Sequence, residues 1–76
     1  MNNKKRETLT KAYNLLQTAL DLVSSVQDKE LDDLDNLPEN LQCSERAENM
    51  ETAIDKLEDA VSNIEAAQES IEDAKE

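Results

Sequence analysis

Apolar residues recur in the first third of the chain at Leu9, Ala12, Leu16, Ala19, Val23 and Val26, a 3-4-3-4-3 spacing that returns each side chain to one face of an α-helix. In heptad terms Leu9, Leu16 and Val23 take position a, and Ala12, Ala19 and Val26 take d. Tyr13 and Leu20 at e, with Leu15 and Leu22 at g, widen the apolar arc to about four of seven positions, more than a two-helix seam needs. This helix therefore meets more than one neighbour. Leu31 and Leu34 extend the pattern toward Asp35, although Asp28, Asp32, Asp33 and Asp35 oppose the dipole at a helix C-terminus.

The pattern breaks at Asp35–Cys43. Pro38 lacks an N–H and disfavours helical geometry at Leu37, which places a turn there, with one short helical turn opened by Pro38 and with Leu37 and Leu41 closing the end of a core. Ser44 is the expected N-cap of a second helix, and Glu45 follows in the first turn, where a carboxylate suits the positive end of the dipole.

The second helix carries a seven-residue repeat: AIDKLED from Ala53, AVSNIEA from Ala60, AQESIED from Ala67 and AKE from Ala74. Ala47, Ile54 and Val61 fall at a, and Met50, Leu57, Ile64 and Ile71 at d; Gln68 alone interrupts this seam. Ala53, Ala60, Ala67 and Ala74 form a column at g, along which another helix can approach closely. The fold class is thus all-α: an antiparallel two-helix hairpin over about 4–34 and 45–74, one domain with its turn at 35–44. Cations at Lys4, Lys5, Arg6 and Lys11 and carboxylates at Glu69, Glu72, Asp73 and Glu76 each oppose their own helix dipole, and antiparallel pairing brings them together. A hairpin this thin buries little against an ordering cost of roughly 1.5 kcal/mol per residue, so a homodimeric four-helix bundle or larger helical assembly is expected, with Leu15, Leu22, Tyr13 and Leu20 at the contact between chains.

Composition narrows the chemistry. The chain of 76 residues has no Gly and no His, which removes phosphate-cradling glycine loops, Ser-His or Cys-His nucleophile pairs and imidazole metal sites; no cofactor and no enzymatic activity are expected. Cys43 is single and cannot form an internal disulfide. No apolar run approaches the roughly 18 residues of a membrane span and no signal-peptide core follows Met1, so a soluble cytoplasmic protein is expected. The acids at the turn, Asp28, Glu30, Asp32, Asp33, Asp35 and Glu39, lack the central Gly of a calcium-binding loop.

With 19 Asp plus Glu against 8 Lys plus Arg the formal charge is −11, and the acids are not scattered. Glu48, Glu51, Asp55, Glu58, Glu65, Glu69 and Glu72, with Ser62 among them, share one face of the second helix at 3-4 spacing. Like charges at this spacing cost an isolated helix about 0.2–0.5 kcal/mol each, so helix stability does not explain the arrangement. The readings open to this stripe are a contact for a basic protein partner, a surface that mimics nucleic acid, and a solubilising face. Direct nucleic-acid binding is not expected against this charge.

The segment NLPE-x-LQ-x-SER, from Asn36 to Glu39, Leu41 to Gln42 and Ser44 to Arg46, resembles a set of small acidic proteins of phages and prophages of Gram-positive bacteria. Many relatives resemble this pattern with Gly after SER, where this chain has Ala47. The resemblance implies an accessory phage protein, acting in the cytoplasm of a bacterial host, in which Leu37, Pro38, Ser44 and Arg46 organise the hairpin end or touch a partner. A fainter similarity, from Arg46 onward, is to phage helical sponge proteins that sequester cyclic nucleotides, which implies Tyr13, Lys11 and Arg46 as ligand contacts between subunits. The expected function is therefore a non-enzymatic acidic interaction module, an inhibitor of a host factor; the alternatives are an oligomeric nucleotide sponge and a purely structural accessory protein.

Overall fold

The computed structural model describes all residues, 1–76, as two long α-helices joined by a short turn: α1 (Asn3–Asp35) and α2 (Glu45–Lys75), with a 3-10 helix, Glu39–Leu41, between them. The helices run antiparallel along most of their length in a rod of 59 × 14 × 12 Å. Its radius of gyration of 17.3 Å compares with about 11 Å for a globular chain of this length.

Each start of a helix is capped by a short polar side chain. Ser44 Oγ accepts from the Ala47 N–H at 3.3 Å and donates back to the Leu41 carbonyl, tying α2 to the turn. Asn2 does the same for α1, accepting from the Lys5 N–H at 2.8 Å. At the other end of α1 the Asn36 N–H reaches the Asp32 carbonyl at 3.0 Å and the Leu37 N–H reaches Leu34 at 3.2 Å, before Pro38 ends the ladder for want of a donor. The Leu41 N–H then closes on the Pro38 carbonyl at 2.8 Å. No residue has positive φ, so this turn reverses the chain without any of the left-handed positions that glycine usually fills. That is how a Gly-free sequence makes a hairpin.

On α2 the seam follows the heptad throughout: Ala47, Met50, Ile54, Leu57, Val61, Ile64, Gln68, Ile71 and Lys75 are buried or half-buried. Gln68 does not interrupt it. Its side chain is only 6% exposed and its amide donates to the Gln17 Oε1 at 3.0 Å. On α1 five of the six a/d residues, Leu9, Ala12, Leu16, Ala19 and Val23, are half-buried and Val26 is 51% exposed; the seam is rotated toward the e side, running through Arg6, Leu9, Tyr13, Leu16, Leu20, Val23, Gln27, Glu30 and Leu34, all half-buried. A rigid helix presents one set of positions at a time. Turning Tyr13, Leu20 and Leu34 inward removes more apolar area than turning Val26 inward, at roughly 25 cal/mol per Å², and the small Ala12 and Ala19 stay half-buried at the edge. Gln27 is carried in with them, and its Nε2 reaches the Ile54 carbonyl at 3.5 Å.

The opposed charges at the open end meet differently from the expectation. Arg6 crosses to α2, but its Nε donates to the Lys75 main-chain carbonyl at 2.8 Å and not to a carboxylate. It satisfies an acceptor that the end of α2 leaves without an intrahelical donor. The one ion pair in the structure lies within α2, Lys75 to Glu72 at 3.2 Å.

Candidate functional site: two broad faces of the hairpin

In two right-handed helices packed antiparallel, the residue that follows each seam residue falls on the same broad side of the pair for both helices, and the residue that precedes it falls on the opposite side. The observed seam therefore divides the surface of the rod into two faces of different chemistry.

The following positions on α2 are Glu48, Glu51, Asp55, Glu58, Ser62, Glu65, Glu69 and Glu72, all exposed. Those on α1 include Glu7, Asp21, Asp28 and Asp35, also exposed, so α1 adds four carboxylates to the seven of α2. Sequence periodicity on one helix found the stripe on α2; the contribution of α1 was not visible until the true seam was known. No Lys or Arg stands at a following position on this face, and of its carboxylates only Glu72 has an ion-pair partner. Eleven carboxylates over about 42 Å of helix give roughly one charge per 4 Å, against one per about 3.4 Å along a single DNA strand and 1.7 Å along the duplex.

The preceding positions are mainly apolar or cationic, with Thr8, Asn49, Asn63 and Ser70 as uncharged polar members and Asp33 as the one acid. On α1 they include Ala12, Leu15, Ala19, Leu22 and Val26, and on α2 the column Ala53, Ala60, Ala67 and Ala74. Leu15 is 72% and Leu22 65% exposed, large aliphatic side chains in water within one chain. Tyr13 and Leu20, grouped with them in the sequence reading, lie about 150° away around α1, half-buried in the seam, so the four do not form one surface. Lys5, Lys29, Arg46 and Lys56 also stand at preceding positions.

At the turn, Leu37 and Leu41 are half-buried, as end plugs of the core, while Pro38 and Arg46 are exposed. Ser44 is engaged as the α2 cap. Tyr13, Lys11 and Arg46 are not brought together within the chain, since Tyr13 lies some 33 Å of helix from the turn where Arg46 sits. No group of three or more acids or thiols is arranged to hold a metal ion, the turn carboxylates included. The two concave places are open grooves beside the first turns of α1, one lined by Asn3, Arg6, Glu7, Thr10 and Lys11, the other by Met1, Lys4, Lys5, Thr8 and Leu9. No helix is long and apolar enough to cross a membrane. No protein-family model matches the chain, and neither a curated protein nor a solved structure is found to be similar to it.

Proposed function

We propose that this protein is a non-enzymatic binding module whose acidic broad face docks a basic protein partner. The observation that supports this reading is segregation: eleven carboxylates, including Glu51, Asp55, Glu58 and Glu65, line one side of the rod, and every Lys and Arg lies elsewhere. A face meant only to keep the chain soluble gains nothing from excluding cations, because mixed charges solvate equally well and spare the helix its like-charge repulsion. A pure field of one sign attracts an oppositely charged surface and speeds its encounter. The charge spacing, close to that of one nucleic-acid strand and about half as dense as the duplex, favours a protein groove that otherwise tracks a single strand. With the resemblance of the turn segment to phage proteins, the role becomes inhibition of a host factor by occupation of such a groove.

The test is capture of partners from a bacterial lysate on the immobilised protein at low and at high salt, beside the variant Glu51→Lys/Glu58→Lys/Glu65→Lys. These three positions are exposed, so helicity is expected to survive the change. Partners retained by the wild type, released by salt and absent from the variant support the reading. Equal capture by both proteins, or none by either, overturns it.

A further inference from the structure

The side opposite the acidic face has no partner within the chain. For a mass of 8.6 kDa a folded monomer exposes about 4,700 Å², whereas this hairpin exposes 5693 Å². The excess of about 1,000 Å² is close to the roughly 800 Å² that each partner buries in a stable interface of standard size. Leu15 and Leu22 are the most exposed large apolar side chains of the chain, and both stand on this face beside the alanine column of α2.

We infer that the apolar face is covered by a second copy of this chain, turned end for end, so that α1 packs on α1 and α2 on α2 about one two-fold axis. Both helices fit the same axis. On α1, an axis between Thr18 and Ala19 sets Leu15 of one chain against Leu22 of the other; on α2, an axis between Asn63 and Ile64 sets Ala60 against Ala67. Those two points lie within one residue of the same height along the rod, because the register of the cross-helix bonds Arg6 to Lys75 and Gln27 to Ile54 sets Thr18 and Ala19 level with Ser62 and Asn63. The alanines let the α2 pair approach toward the short end of the 8–10 Å range for packed helices, while the leucines fill the wider α1 pair.

Charge selects the antiparallel arrangement over the parallel one. Residues 28–48, the turn end, hold eight acids and two cations, whereas the open end, residues 1–11 and 69–76, holds five of each. Parallel stacking sets the two strongly negative turn ends side by side. The antiparallel dimer sets each against a neutral end, with Lys4 and Lys5 of one chain opposite Asp32 and Asp33 of the other, and it leaves both acidic faces outward. The inference does not rest on what that acidic face binds.

Two measurements on the full chain test it. Sedimentation of the wild type at micromolar to hundred-micromolar concentration is expected to show a dimer, and Leu15→Glu/Leu22→Glu to be monomeric over the same range. A wild type that stays monomeric, leaving the face to a membrane or another protein, overturns the inference. Orientation is read without disturbing the interface from a spin label at Glu7→Cys, on the acidic side, in a Cys43→Ser background. Two labels at about 40 Å are expected for antiparallel chains, from helical rise on either side of the axis combined with the thickness of the two layers, and about 25 Å for parallel ones, from the thickness alone. The short distance overturns the inference even where a dimer forms.

Discussion

The two helices are nearly equal in length and share one seam, yet they hold the fold unequally. The three buried residues of the chain, Ala47, Ile54 and Gln68, are all on α2, and α1 has none. α2 commits its large aliphatic residues to the seam and fills the flanks with alanine and carboxylate. α1 divides its aliphatic residues between the seam and the outer face that carries Leu15 and Leu22. The difference teaches that α2 places all its large aliphatic side chains in the hairpin, whereas α1 leaves Leu15, Leu22, Val26 and Leu31 outside it. Substitutions in the α2 seam should therefore weaken the single chain, and losses at aliphatic residues of α1 outside the seam should not.

The largest effect is expected at Ile54, which is 8% exposed at mid-seam. Ile54→Ala removes buried methyl groups and leaves a void, at about 2–4 kcal/mol. In a rod with so small a core this loss is expected to abolish most helicity at room temperature, read by circular dichroism. Leu31→Ala on α1, at a side chain 41% exposed, is expected to change the urea midpoint by less than about 1 kcal/mol. Equal losses at the two sites would erase the contrast between the helices.

Ala47 tests the same contrast by addition. It is 1% exposed, the most enclosed residue of the chain, where α2 leaves the turn under its Ser44 cap. Ala47→Leu has no room for its added carbons and is expected to cost about 1–3 kcal/mol in urea denaturation. A smaller result comes from the caps themselves. Ser44→Ala frees the Ala47 N–H beside that enclosed site and is expected to cost about 1 kcal/mol, while Asn2→Ala, at the fraying open end of α1, is expected to cost a few tenths. Matching losses at both caps would show the two ends to be equally ordered.

The same asymmetry decided what the sequence made legible. On α2 one apolar stripe was available, so the heptad, the Ser44 cap and the Pro38 turn predicted the element and its seam together. On α1 the apolar arc spanned about four of seven positions, and periodicity alone could not say which half of the arc faced the partner helix. The a/d assignment placed Val26 inside and left Gln27 out; the side-chain sizes at Tyr13, Leu20 and Leu34 decide the other way. Everything that depends on the α1 seam was hidden with it: the four carboxylates that α1 adds to the acidic face, and the separation of Leu15 and Leu22 from Tyr13 and Leu20. The crossing of Arg6 to a carbonyl was also out of reach, because charge patterns identify opposed ends and not the acceptor that a guanidinium finds.

The effect expected at Gln68 is small, and its sign is informative. A buried amide in a helical seam costs stability and is kept in many assemblies because it fixes register between separate helices. Here the two helices belong to one chain, and the turn from Asn36 to Ser44, with its caps and half-buried leucines, already fixes how α1 and α2 align. The amide's partner, Gln17, is exposed and can return to water when Gln68 is replaced. Gln68→Leu then exchanges a neutral hydrogen bond for apolar burial without orphaning a buried group, a change expected to stabilise the chain by about 0.5–1 kcal/mol. At about 4–8 °C per kcal/mol for a domain of this size, the thermal midpoint should rise by a few degrees. A fall in the midpoint would mean that the amide pair, and not the turn alone, sets the alignment of the two helices.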